Sequence, residues 1–197
     1  MPSDWSSDGR YIAYTNTSFA QVQNEMHGSV WLIDTARGRM VVPLLNTTFH
    51  ETAPAFSPDC RWLAFTSNES GRTEVYLQAF APGESPRLIG ERHLVSRQGE
   101  VSLRWRRDGE ELFYLALDGR VYAVPITLGS KPKIGKATPL FAIGTEARLA
   151  IHDTEGFDVS LDGQEFLVPI TTSSEHSEIV VVQNWEAEAL RKQGKLN

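Results

Sequence analysis

One short motif recurs four times along the 197-residue chain, and this recurrence constrains the fold more than any other feature of the sequence. Each copy is a polar turn that contains an aspartate, followed by a short segment rich in strand-forming residues. The turn aspartates are Asp8, Asp59, Asp108 and Asp162. Their regular spacing of about fifty residues indicates one supersecondary unit that is repeated along the chain.

Apolar residues occupy matching positions in the four repeats. Three residues before the aspartate stand Trp5, Phe56, Trp105 and Val159. The positions four and six residues after the aspartate hold Ile12, Leu63, Leu112 and Phe166, and then Tyr14, Phe65, Tyr114 and Val168. Side chains alternate along a strand with period two, so the last two sets share one face of a sheet. Units with such faces must stack on one another to bury them.

We therefore predict an all-β fold, a β-propeller of about four four-stranded antiparallel blades, of which the last is incomplete. The blades are expected within a single domain spanning 1–197, at residues 1–50, 51–98, 99–145 and 146–184. The fourth repeat lacks a fourth strand, and residues 185–197 favour helix. A β-sandwich is the alternative, but a sandwich does not require this repeat.

One connection in the first repeat is much longer than its counterparts. Residues 15–27 are predicted to form a long polar loop, whereas the equivalent connection in the second repeat is short. Function tends to lie on long loops of rigid scaffolds, so this segment is a candidate binding loop. A plain insertion is the other interpretation.

Composition excludes several classes of protein. The formal net charge of −6 argues against a nucleic-acid partner, because phosphate binding depends on basic patches. No apolar run reaches the roughly 18 residues that a membrane-spanning helix needs, so no membrane contact is predicted for this segment. Cys60 is the single cysteine, which excludes an intramolecular disulfide and any multi-cysteine metal site. It stands where the other three turns have glycine, so we interpret it as a turn residue.

The repeated segments resemble a known family. Residues 4–14 and 55–65 are similar to the TolB-type, WD-like propeller repeat. Residues 103–114, 157–167 and 179–185 resemble the C-terminal end of the propeller sensor domain of bacterial receptor serine/threonine kinases. This resemblance implies a sensor or signalling protein with an extracytoplasmic propeller.

The number of repeats departs from the family pattern. Propellers of this type usually have six or more blades, so the four repeats are expected to be part of a larger propeller. A homodimer through open blade edges is the other arrangement that would hide the exposed surfaces. The isolated chain is accordingly expected either to dimerise or to be poorly stable.

Candidate binding residues lie on the strand that precedes each turn. In a propeller this strand is the innermost and lines the central channel. Alternation places Arg104 and Arg106 on the face opposite Trp105, and Asp4 and Asp158 occupy matching positions in other repeats. A channel with these four side chains would be polar and of mixed sign, which suits a small anionic ligand or ordered water.

No catalytic motif is present in the sequence. There is no nucleophile elbow, no phosphate-binding loop and no dinucleotide fingerprint. The five histidines are scattered, so neither a metal site nor a cofactor is predicted. The resulting prediction is a non-enzymatic module that binds a protein or a small ligand. The alternatives are a TolB-type periplasmic scaffold, or a propeller enzyme of lyase or peptidase-associated type with its site in the channel.

Overall fold

Sixteen β-strands and one short 3-10 helix make up the regular structure of the residues that the computed structural model describes. These residues are 2–20, 25–97, 100–143, 156–171 and 177–183. The chain divides into two compact units, Met1–Glu100 and Val101–Asn197.

The first unit contains two four-stranded antiparallel sheets, each with its strands in sequence order. Blade 1 consists of β1 (Pro2–Trp5), β2 (Tyr11–Ala20), β3 (Glu25–Asp34) and β4 (Met40–Leu45), with the 3-10 helix Thr35–Arg37 between the last two. Blade 2 consists of β5 (Glu51–Phe56), β6 (Trp62–Ser67), β7 (Glu74–Ala81) and β8 (Arg87–Leu94). Strand β5 packs against β1, β2 and β3, so the two blades are stacked.

The second unit contains the sheets of the last two repeats. Blade 3 consists of β9 (Glu100–Trp105), β10 (Glu111–Ala116), β11 (Arg120–Thr127), β12 (Lys133–Ile134) and β13 (Thr138–Ala142), and both β12 and β13 pair with β11. Blade 4 consists of β14 (Asp158–Val159), β15 (Glu165–Thr171) and β16 (Ser177–Gln183). The described part of blade 4 thus has three strands. The predicted fold class, an all-β propeller of antiparallel blades, is confirmed.

The prediction of a long polar loop at residues 15–27 is wrong. Strands β2 and β3 continue to pair through this region, and their ladder extends from Tyr11–Asp34 to Ala20–Glu25. An antiparallel ladder satisfies backbone groups whatever the side-chain polarity, so a polar segment can remain a strand. Residues 21–24 and the predicted helix at 185–197 lie outside the described residues.

The interface between blades 1 and 2 is apolar and contains the residues aligned from the sequence. Its buried members from blade 1 are Tyr11, Ala13, Val30, Leu32 and Leu45, and those from blade 2 are Phe56, Leu63, Phe65, Tyr76 and Phe80. The rings of Tyr11 and Phe80 meet edge to face, with centroids 5.3 Å apart and planes at 86°. Burial of these side chains is the main favourable contribution to stacking.

The same arrangement recurs in the second unit. Phe113, Leu115 and Val121 of blade 3 pack against Phe166 and other residues of blade 4. The rings of Phe113 and Phe166 again meet edge to face, at 5.0 Å and 85°. The repeated sequence pattern therefore produces a repeated interface in both units.

Phe65 tests the contribution of this interface. Its side chain is fully buried, and its ring stacks on that of Tyr76 with centroids 6.1 Å apart. We expect Phe65→Ala to lower the free energy of unfolding by about 3–5 kcal/mol, as for other buried phenylalanines. Urea unfolding followed by tryptophan fluorescence measures the change. Phe49→Ala is the control, because Phe49 is 40% exposed and should change stability by no more than about 0.5 kcal/mol. Equal effects of the two substitutions would contradict the expected packing.

Candidate functional site

The repeated turn is held by a hydrogen-bond network between a serine and the turn aspartate. In blade 1, Ser6 Oγ donates to Asp8 Oδ1 at 2.6 Å and accepts from the N–H of Tyr11 at 2.8 Å. Asp8 Oδ1 also accepts from the N–H of Arg10 at 3.0 Å. The turn of blade 2 repeats these bonds with Ser57 and Asp59. The network satisfies backbone donors that a tight turn leaves without a sheet partner.

The turn of blade 4 contains the same serine network. Ser160 Oγ donates to Asp162 Oδ1 at 2.6 Å and accepts from the N–H of Glu165 at 2.9 Å. Asp162 Oδ1 accepts from the N–H of Gln164 at 3.1 Å. Three of the four repeats therefore use the same side chains for the same purpose.

Arg106 takes the place of this serine in blade 3. Its Nε donates to both carboxylate oxygens of Asp108 at 2.8 Å. Its terminal nitrogens pair with Glu110 at 3.0 Å and with Glu111 at 2.5 Å. The side chain is 20% exposed. Three carboxylates thus hold the guanidinium against the turn, and its principal contacts are structural.

The charge of the turn aspartates follows from these bonds. The hydroxyl of Ser6 lowers the pKa of Asp8, and the hydroxyl of Ser160 lowers the pKa of Asp162. The Arg106 guanidinium lowers the pKa of Asp108 in the same way. A general acid at neutral pH needs a raised carboxyl pKa, so these aspartates suit hydrogen-bond acceptance instead.

The last residue of the turn has left-handed backbone geometry in every repeat. Gly9, Gly109 and Gly163 have φ of 73°, 76° and 76°, and Cys60 has φ of 54°. The Cys60 side chain is buried, with Sγ 3.2 Å from Ser7 Oγ. Its placement matches the interpretation of Cys60 as a turn residue, because it has the conformation that glycine has elsewhere.

Asp4 and Arg104 occupy equivalent positions, and each reaches the inner strand of the following blade. Asp4 Oδ2 accepts from the N–H of Phe56 on β5 at 2.7 Å. Arg104 Nε lies 3.9 Å from Asp158 Oδ1 on β14. Asp158 is the most exposed of the candidate residues, with 74% of its side chain accessible. The structure thus brings Arg104 and Asp158 together within the second unit, while Asp4 belongs to the first. A channel lined by all four candidate side chains stays a prediction.

A buried ion pair between Arg10 and Asp34 was not found by sequence reasoning. Arg10 donates to both oxygens of Asp34, at 3.1 and 2.9 Å, and its Nη2 also donates to the carbonyl of Gly83 at 2.9 Å. The Asp34 side chain is fully buried, and the Arg10 guanidinium lowers its pKa. The pair ties the first turn to the β7–β8 connection. No sequence signal marks it, because Arg10 and Asp34 are 24 residues apart and Gly83 lies in the next repeat.

A second charged cluster lies on blade 2. Arg92 Nη2 donates to the fully buried carboxylate of Glu51 at 3.1 Å, and Nη1 pairs with Glu69. The guanidinium carbon of Arg92 lies 5.3 Å from the centre of the Phe65 ring. The sequence around Glu51 does not reveal its partner, because Arg92 lies three strands away on β8. The cluster ties three segments of the blade together.

The described residues contain neither a cluster of metal-ligating side chains nor a long apolar helix. Among them, no group of three histidine, cysteine, aspartate or glutamate side chains is placed to hold a metal ion. No described helix is long and apolar enough to cross a membrane.

Antiparallel sheets that each carry the repeated aspartate turn between their first two strands are typical of a β-propeller, and the fold is that of TolB-like propellers. Superposition on TolB from Acinetobacter baumannii gives a TM-score of 0.61 at 17% identity and covers 93% of this chain and 41% of that protein. A putative TolB from Agrobacterium tumefaciens gives 0.53 at 19% identity, with 91% and 56% covered. These similarities establish the fold.

Sequence comparison adds one relative. The chain is 28% identical over 109 residues to a Bacillus subtilis (strain 168) protein described as the uncharacterized peptidase YuxL, which covers 55% of the chain and 16% of that protein. No family model matches the chain. The chain spans less than two thirds of each of these proteins. None of them is described as a receptor kinase, so the resemblance to kinase sensors stays a prediction.

The strain at Cys60 can be measured by substitution. A non-glycine residue in the left-handed region costs about 1–2 kcal/mol, so we expect Cys60→Gly to be more stable than Cys60→Ala by about that amount. Both variants lose the thiol, so the difference between their free energies of unfolding reports the backbone strain. Gly9→Ala is the matched control in the opposite direction, because a Cβ at Gly9 would meet no atom within 4 Å. If the Cys60→Gly variant is no more stable than the Cys60→Ala variant, the backbone at this position is not strained.

The serine network predicts how stability depends on pH. Because the pKa of Asp162 is lowered on folding, its bonds stabilise the protein above the ordinary aspartate pKa of about 3.9, and this stabilisation is lost as pH falls through the lowered value. We expect Ser160→Ala to raise the pKa of Asp162, measured by NMR titration, and to flatten the loss of stability between pH 5 and 3. Ser70→Ala is the control, because the Ser70 hydroxyl bonds only a neighbouring carbonyl, that of Arg72. An unchanged Asp162 titration in Ser160→Ala would contradict this assignment.

Proposed function

We propose that this chain is a non-enzymatic propeller module that binds a protein or a small anionic ligand, as the C-terminal part of a larger bacterial sensor. The observation that carries the proposal is the pair of Arg104 and Asp158 on neighbouring inner strands. The pair is long, at 3.9 Å, and its carboxylate is 74% exposed. Exposed ion pairs contribute only about 0–1 kcal/mol, so a ligand carboxylate or phosphate can replace Asp158 at small cost.

The other candidate residues have different roles in this proposal. Arg106 is bound to three carboxylates and keeps the turn of blade 3 in place. Asp4 is committed to the backbone of blade 2. Arg104 is therefore the residue expected to contact the ligand, and Asp158 is the group that the ligand displaces.

Location and partners belong to the same proposal. An extracytoplasmic or periplasmic position follows from the resemblance to sensor propellers and TolB. A TolB-type scaffold that works by protein contacts alone is the nearest alternative. A homodimer through open blade edges is compatible with either function.

A propeller enzyme is the second candidate, and one observation favours it. The relative from Bacillus subtilis is described as a peptidase, although it matches only part of this chain. Hydrolysis of a fluorogenic peptide library by the purified chain would support the enzyme. Asp8, Asp108 and Asp162 have lowered pKa values because their bonds serve the turns, so none of the three suits general-acid catalysis.

Arg104 provides the test of ligand binding. Isothermal titration with inorganic phosphate, citrate and an acidic peptide should detect binding that Arg104→Gln weakens by about 10- to 100-fold, the usual worth of a charge-assisted hydrogen bond. Arg87→Gln is the matched control, because Arg87 is exposed on β8 and bonds only the carbonyl of Ser85. Absence of binding to all three probes, or equal losses in both variants, would overturn the proposed site.

A further inference from the structure

The imidazole of His50 bonds the backbone of β3, in the preceding blade. The ladder between β3 and β4 begins at Val30, so Gly28 lies outside the part of β3 that pairs with β4. The N–H of Gly28 instead donates to His50 Nδ1 at 2.8 Å. Gly28 is buried, and a buried N–H without an acceptor is costly. The histidine that precedes β5 therefore completes the hydrogen bonding of β3.

The contact between Gly28 and His50 is close and well fixed. A Cβ at Gly28 would lie 2.5 Å from Thr52 Cγ2, 2.9 Å from the carbonyl oxygen of Glu51 and 3.1 Å from His50 Cε1. The N–H of His50 donates to Asn68 Oδ1 at 2.8 Å, and its carbonyl accepts from the N–H of Asn68 at 3.3 Å. Both sides of the contact are thus held by their own blade.

This hydrogen bond requires the neutral form of His50. Nδ1 accepts from the N–H of Gly28, so it carries no hydrogen, and the hydrogen of the neutral ring is on Nε2. Protonation places a second hydrogen on Nδ1, where it would face the hydrogen of Gly28. Two donors cannot bond each other, so the protonated ring loses the contact. Histidine is the side chain that ordinarily changes its charge between pH 5 and 8.

A second histidine at the same junction forms the opposite kind of bond. His27 precedes Gly28, and its Nε2 lies 3.1 Å from the carbonyl oxygen of Thr47. A carbonyl oxygen only accepts, so Nε2 of His27 carries a hydrogen and donates it. The protonated ring keeps this hydrogen, so the bond to Thr47 survives protonation. Of these two contacts, the one through His50 depends on the neutral ring.

The charged and titratable groups on the elements around His50 are His27 on β3, Glu51 on β5, Glu69 in the β6–β7 turn and Arg92 on β8. Arg92 pairs with the carboxylates of both Glu51 and Glu69, so these charges are compensated within blade 2. The bond of His27 is retained when its ring is protonated. We therefore assign the pH response of this junction to His50.

We propose that His50 is a pH-sensitive latch between blades 1 and 2. Its neutral ring holds the end of β3 on the residue before β5, and its protonated ring releases the N–H of Gly28. The latch lies where β2 and β3 extend to the Ala20–Glu25 pair, so release loosens the attachment of this extension to blade 2. This regulation is independent of ligand binding at Arg104, and its failure leaves that proposal standing.

Amide hydrogen exchange of the 197-residue chain, followed by NMR, tests the latch. The bond stabilises the junction above the ordinary histidine pKa of about 6.5, and this stabilisation is lost as pH falls below it, because the released ring takes up the proton. We expect the protection factor of the Gly28 amide to fall about tenfold between pH 7.5 and pH 5.5. The amide of Phe56 is the internal reference, because it also bonds across the two blades but its acceptor is the carboxylate of Asp4.

Two substitutions of His50 separate the acceptor from the titration. The side-chain oxygen of His50→Asn can accept from Gly28 and does not titrate, so Gly28 should stay protected at both pH values. His50→Ala lacks the acceptor, so protection should be low at both. His27→Gln is the matched control, because it keeps a donor for the carbonyl of Thr47 and should leave the pH dependence of Gly28 unchanged.

The outcomes that overturn the latch are specific. One is a Gly28 protection factor that is equal at pH 7.5 and pH 5.5 in the unaltered chain. Another is an equal loss at Phe56, which would show unfolding of the whole interface instead of local release. A His50→Asn variant that keeps the pH dependence, or a His27→Gln variant that loses it, also overturns the proposal. Far-UV circular dichroism at both pH values verifies that each variant is folded.

Discussion

The hydrogen bonds from the turn aspartate fix the geometry on which each blade depends. In blade 2, Asp59 accepts from the hydroxyl of Ser57 and from the N–H of Arg61, and these bonds close the hairpin between β5 and β6. Closing the hairpin sets the register, which places Phe56 opposite Leu63. Since a slip of one residue would turn every apolar side chain to the other face, the polar turn determines which residues stack between blades.

The sequence was sufficient to predict the blades because their determinants are local and repeated. The turn residues and the period-two pattern lie within a dozen residues, and four copies corroborate one another. The extension of β2 and β3 was missed because residues 15–20 contain polar side chains that resemble a loop. Their ladder partners, such as Ser29 opposite Asn16, become apparent only when the strands are aligned in space.

The charged residues were harder to predict, because their roles depend on partners that are distant in sequence. Arg106 stands in a basic cluster that suggests a ligand, yet its neighbours supply three carboxylates that engage it. Arg10 bonds a carbonyl 73 residues away, and Arg92 bonds Glu51 across 41 residues. The sequence identifies such side chains as charged. Whether a charged side chain is paired within the fold or is accessible to a ligand depends on which residues the topology places beside it. Arg104 pairs with the carboxylate of Asp158, which is largely exposed, and it also donates to the carbonyl of Leu103.

Stacking gives each blade two unlike faces. Within each unit, the face that carries the residues four and six positions after the turn aspartate packs on the opposite face of the preceding blade. Ile12 and Leu63 occupy the same position in the repeat, yet Leu63 is fully buried and Ile12 is not. Because the residue types are so similar, the difference in burial comes from the neighbouring blade that covers Leu63.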